Sequence, residues 1–178
     1  MAKPLNPLPR AFYARDAAVV AKELLGKLLV RKLNNKLLIG KIVETEAYYG
    51  RADPASRAYK GRTKIGSVMF EKPGTILTYC VHANYMFNIV TGKQNKPEAV
   101  LIRAVEPLNF KSNLSGPGRL SRAFRINAEH NRQLINKEVF IFPSKEKVDI
   151  GRSHRVGVSR DLKRKLRFFV KGNKFVSS

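Results

Sequence analysis

Cysteine occurs once, at Cys80, in this chain of 178 residues. No intrachain disulfide can form and no zinc site can be assembled from paired cysteines, so a reducing, intracellular setting is expected, the cytoplasm or nucleoid in a prokaryote. Acid is scarce too: 13 Asp and Glu stand against 35 Lys and Arg, a formal charge of +22. No uncharged apolar run is long enough to span a bilayer, and the opening MAKPLNPLPR sets prolines where a signal peptide needs an apolar helix. Neither membrane insertion nor export is expected.

What is present is a core. Hydrophobic residues make up 43% of the chain, which excludes a disordered polycation, because such tails cannot offset chain entropy by burial. A 20 kDa chain folded as one body hides roughly 70% of its unfolded surface. One domain over residues 11–178 is therefore expected behind a Pro-rich lead, 1–10. The excess of positive charge repels itself, and a polyanion is the natural partner, nucleic acid first.

RDAAVVAKELLG predicts a short amphipathic helix with Asp16 as N-cap and Gly26 at its exit. KLLVRKL and KLLIGKIVETEAYY flank Asn34-Asn35, a pair that tolerates positive φ, so a β-hairpin follows. TILTYCVH, YMFNIVT and EAVLIRAVEP predict central strands, and EVFIF and LRFFVKG late ones. SGPGRLSRAFRIN predicts a helix behind a Gly/Pro lead, its N-terminal end suited to phosphate. Between Gly50 and Pro73 the pattern dissolves into a long loop, with Arg57, Lys60, Arg62 and Lys64 uninterrupted by acid from Asp53 to Glu71. Loops of that length in compact domains usually carry function. Strands and helices do not alternate as βαβ units, so the fold class is α+β with a mainly antiparallel sheet.

Glu44 and Glu46 interrupt a strand, and the two-residue period puts both on the face of Tyr48. That face is either solvated, with the glutamates paired to lysines, or it holds a catalytic carboxylate beside a stacking ring. Arg103 poses the same choice inside AVLIRAVEP. Its guanidinium needs an anion, with Glu106 the structural partner and Glu46 the functional one, since an Arg–Glu pair keeps a general base ionised. Tyr48, Tyr49, Tyr79, Tyr85 and His82 form an aromatic series that suits either a core or stacking on an extruded base. Cys80 is expected to pack, and His130 and His154 to lie at the surface.

The string IVETEAYYGRADPAS, followed in order by GRTK, VMFEKPGT, Asn88, AVLIRAVEPL, SGPGRLSRAFRIN, RVGV and LRFFVKGN, resembles the alkyladenine (3-methyladenine) DNA glycosylase family from about Ala11 onward. The resemblance implies a curved antiparallel sheet flanked by helices and removal of alkylated or deaminated purines from double-stranded damaged DNA, by a monomer without cofactor or metal. It makes Glu46 the base that activates water, Arg103 and the carbonyl of Val156 its helpers, Tyr48 and Tyr79 the rings around the flipped base, and Asn88 a gate at the pocket floor. His82 falls where relatives carry an intercalating tyrosine. Lys60, Arg62, Lys64, Arg119 and Arg122 would grip phosphates. The family pattern expects histidine where Arg57 stands, so a fixed cation replaces part of the pocket wall, and Arg57 is expected to turn toward a DNA phosphate. Two other readings compete: a non-catalytic RNA- or ribosome-binding protein, and a lesion binder that no longer cuts.

Overall fold

The computed structural model describes residues 6–178. The Pro-rich lead therefore lies partly outside the described residues, but Leu8 is buried and its N–H donates to the carbonyl of Ile141 at 2.7 Å. A short helix α1, Arg10–Tyr13, precedes α2, Ala17–Leu24. Asp16 caps α2 as expected, accepting from the N–H groups of Ala18 and Val19, and Gly26 leaves it at φ +81°. Ala17, Ala18, Val20, Ala21 and Leu24 are buried along its inner stripe.

The strands are β1, Leu28–Leu33; β2, Lys36–Tyr48; β3, Ile76–Val81; β4, Asn84–Val90; β5, Ala99–Pro107; β6, Val139–Phe142; β7, Ile150–Ser153; and β8, Arg167–Val170. They form one sheet in the order β3-β4-β5-β2-β1-β6, with β8 also on β2 and β7 on β8. Every pairing is antiparallel, which gives the α+β class expected. The β1–β2 hairpin turns at Asn34, φ +48°. Strand β7 was not legible, because IGRS has little apolar character and pairs only through β8. Helix α3, Pro117–Ala123, is shorter than its predicted segment.

Strand β2 organises the molecule. One of its edges pairs with β1 over Lys36–Lys41 and then with β8 over Glu44–Glu46, while the other pairs with β5 over Gly40–Tyr48. Where the partner changes, the β2–β5 register passes from Ile42↔Val105 to Glu44↔Ala104 and then to Thr45↔Ile102. The ladder thus skips Val43 on one strand and Arg103 on the other. Paired bulges of this kind bend strands and re-aim side chains.

The two sheet faces have different tasks. Val20, Leu24, Ile42, Phe87, Ile89 and Ile102 belong to the main core. Thr45 faces that side, its hydroxyl donating to the carbonyl of Ala21 at 2.8 Å, so Glu44 and Glu46 face away. On their side a smaller cluster of Ala58, Val68, Met69, Leu77, Val90 and Ala99 holds the long loop to the sheet, and Tyr48 and Tyr79 pack on it. That loop also contains a 3₁₀ helix, Gly66–Phe70.

Candidate active site

A cavity of about 590 Å³ opens on the face away from α2, lined by Tyr48, Arg57, Tyr79, His82, Arg103 and Val156 among others. Six of the residues singled out in the sequence therefore meet in one space. Glu46 lies directly behind its wall, fully buried and bonded to the lining residues Tyr48 and Val156. Tyr48 donates its hydroxyl hydrogen to Glu46 Oε2 at 2.7 Å, the N–H of Val156 donates to Oε1 at 2.8 Å, and Arg103 Nη1 stands 3.5 Å from Oε2. Burial pushes the Glu46 carboxyl above its ordinary value, and Arg103, the Val156 N–H and the Tyr48 hydroxyl offset this only in part.

The bulged Arg103 reaches both glutamates, with Nε 3.0 Å from Glu44 Oε1. Glu44 is sealed behind the cavity. It also accepts from Arg167 Nε at 2.7 Å and, at 2.7 and 2.9 Å, from the N–H and hydroxyl of Ser177, where the chain beyond β8 folds back. The expected alternative partner of Arg103, Glu106, instead pairs with Lys41 and accepts from Asn173. The displacement follows from the bulge, which leaves Glu106 in register with Lys41.

Arg155 is the largest omission of sequence reasoning. Its side chain is buried, forked onto Asp53 at 2.6 and 2.7 Å, bonded to Asp161 and to the carbonyl of Ala47, and set 4.5 Å over the Tyr48 ring. It ties the long loop, β2 and the segment bearing Val156 together behind the cavity. The available signal was Asp53, the lone acid before a basic stretch, which needs a cation once buried.

Asn88 is buried and donates to the carbonyls of Leu77 and Met86; it does not line the cavity. His82 sits exposed at the tip of the β3–β4 hairpin, with positive φ like Ala83 beside it. Arg57 lies with its guanidinium 4.4 Å over the Tyr79 ring. Lys60, Arg62, Lys64, Arg119 and Arg122 are exposed, and Arg122 bonds Asn84 on the cavity wall. Tyr49 belongs to the α2 cap, donating to Asp16. Cys80 is exposed rather than packed, because the β3–β4 tip outruns the core. His130 is buried rather than at the surface, its Nδ1 held by Asn127 and its basicity lowered by burial and the charge of Arg31.

Two further hollows hold no such convergence. One of about 610 Å³ lies beside the β1–β2 turn and Phe110, with no carboxylate on its wall. The other, beside α2, is lined by Lys22, Arg152, Lys163, Arg164 and Lys165.

The model of the methylpurine-DNA glycosylase family matches residues 11–174. The chain belongs to that family. A relative from Carboxydothermus hydrogenoformans is 42% identical, covering 96% of this chain and 98% of its own. Relatives from Aeropyrum pernix and Chlorobium phaeobacteroides are 38% and 37% identical, each covering 96% of this chain, and 92% and 96% of their own respectively. All three carry the provisional name of 3-methyladenine DNA glycosylase. Membership makes the chain a DNA glycosylase of base excision repair. No helix among its described residues is long and apolar enough to cross a membrane.

Proposed function

We propose that the chain flips alkylated or deaminated purines, 3-methyladenine, 7-methylguanine and hypoxanthine among them, out of duplex DNA. A water activated by Glu46 then hydrolyses the N-glycosidic bond. The observation that carries this reading is a fully buried carboxylate held by the lining residues Tyr48 and Val156 immediately behind a cavity bordered by Tyr48 and Tyr79. Extrusion costs a few kcal/mol of unstacking, less for a damaged base, and stacking on the two rings offsets it. His82, at the hairpin tip, fills the space the nucleotide leaves.

The sugar passes through an oxocarbenium-like state. Glu46 takes a proton from the water as its oxygen bonds to C1′, and its negative charge stabilises the developing cation. The bond to the purine breaks with both electrons going to the base. A base already carrying positive charge departs without an acid, so one carboxylate suffices. The N–H of Val156, the Tyr48 hydroxyl and Arg103 all point at the ionised carboxylate and hold it in orientation. The carbonyl of Val156 is assigned to the water. Asn88, behind the cavity, fixes the β3–β4 floor through the carbonyls of Leu77 and Met86 and does not itself meet the base.

Lys60, Arg62, Lys64, Arg119 and Arg122 contact phosphates around the flipped nucleotide. The basic hollow beside α2 faces elsewhere and serves non-specific retention. The test is a duplex with one hypoxanthine or 7-methylguanine, incubated with the protein, treated with alkali and examined for strand breaks. Breaks at the lesion that depend on alkali support a monofunctional glycosylase, and a covalent adduct trapped by borohydride contradicts it.

A further inference from the structure

The guanidinium groups around the cavity are balanced unequally. Arg103 lies between Glu44 and Glu46, and Arg155 between Asp53 and Asp161. Arg57 has neither an acid nor, among the described residues, any hydrogen-bond partner; its one partner is the face of Tyr79. It lines the cavity, so five N–H donors and one unbalanced positive charge border the space a flipped base enters.

Resting on the reading above, we propose that Arg57 is a specificity-determining residue that favours neutral, oxo-bearing deaminated purines over cationic alkylpurines. Two effects act in the same direction. A neutral purine leaves as an anion, taking the electron pair of the C1′–N9 bond, and a guanidinium beside it stabilises that charge where it develops. Deaminated adenine also presents adjacent O6 and N7 acceptors, the edge that arginine grips with two parallel hydrogen bonds. Arg57 keeps its own proton throughout; the proton from water goes to Glu46. A cationic alkylpurine departs neutral and lacks the paired O6 and N7 acceptors, so it gains less from these donors, and it meets a like charge, enough even at the dielectric of a protein surface for a tenfold effect or more. Tyr79, whose ring would otherwise attract a cationic base, already carries a cation over one face.

The comparison belongs at kcat/KM, because repulsion also raises the ground state of a bound cationic base. Excision of hypoxanthine and of 7-methylguanine is measured in one duplex context for the parent, Arg57→Met and Arg57→Lys, with the salt dependence of DNA binding alongside. The parent is expected to favour hypoxanthine. Arg57→Met is expected to lower hypoxanthine excision about tenfold or more while 7-methylguanine excision holds or rises. Arg57→Lys, which keeps charge but not the fork, is expected to fall between them. A ratio that does not move while both bases are excised overturns the role of Arg57 and leaves the glycosylase reading standing. An unmoved ratio with a shallower salt dependence in Arg57→Met makes Arg57 a phosphate contact and overturns the role equally. Failure of the parent to release either base overturns both readings.

Discussion

Tyr48 donates a hydrogen bond of 2.7 Å to the buried carboxylate of Glu46, two residues earlier on the same strand. The residue that walls the cavity is thus also one that tunes the carboxylate. Alternation along β2 puts both on one face, and the bulges beside them bring Arg103 to the same point.

This contact has a pH signature. On the proposed mechanism Glu46 must be ionised to accept a proton from water, and burial holds its carboxyl above the ordinary 4.5, so the acid limb of excision is expected above that value. Tyr48→Phe keeps the ring and removes one of the contacts that favour ionisation. The limb therefore moves further up. Single-turnover rates from about pH 5 to 8 check this, and an unmoved limb removes Tyr48 from the tuning of the base.

Arg155→Ala leaves Asp53 buried without its fork. Losing one partner of a buried pair costs about 3–5 kcal/mol, which lowers the melting temperature by roughly 10 °C in a chain of this size. Arg155→Lys is expected to restore little, since a point charge cannot reproduce the paired contacts. Thermal denaturation of both variants reads this out.

Ser177 gives Glu44 two of its four donors. Ser177→Pro removes the N–H and leaves a buried acceptor short, at a cost of about 1–3 kcal/mol. Excision is expected to fall while affinity for DNA holds, because Arg103 loses its backing and no phosphate contact is touched. Urea denaturation and single-turnover rates, measured with DNA affinity, test the link.

The exposed cations should separate from the chemistry. Neutralising Lys60, Arg62, Lys64, Arg119 or Arg122 singly is expected to flatten the dependence of log affinity on log salt by about 0.9 each. Excision at saturating protein should be unchanged. Substituting Lys163 or Lys165, beside α2, is expected to leave that slope on a short duplex nearly intact.

Much of the fold was legible because its signals are local. Asp16 ahead of an apolar stripe, Asn34 in a hairpin turn and the apolar runs of β3 to β5 each follow from short-range preference. Glu46 stood out because an acid inside an apolar strand needs a partner or a task. The partners of Arg103 were only half legible: Glu46 was named, but Glu44 became the closer one through a bulge, and bulges leave no local mark in composition. Arg155, Ser177 and β7 depend on contacts between segments far apart in the chain, where neighbouring residues carry no hint of the pairing. Cys80 and His130 show the same limit in opposite directions, one at an outlying tip and the other buried beside Glu138.

The most direct test is Glu46→Gln on a duplex carrying one hypoxanthine, with strand breaks after alkali measured in single turnover and DNA affinity measured in parallel. Thermal denaturation of the amide variant, run alongside, separates loss of activity from loss of structure, because the amide cannot reproduce every contact the carboxylate makes with Tyr48, Val156 and Arg103. The expected result is excision reduced about a thousandfold or more with affinity for DNA retained. Excision within tenfold of the parent would contradict Glu46 as the residue that activates water.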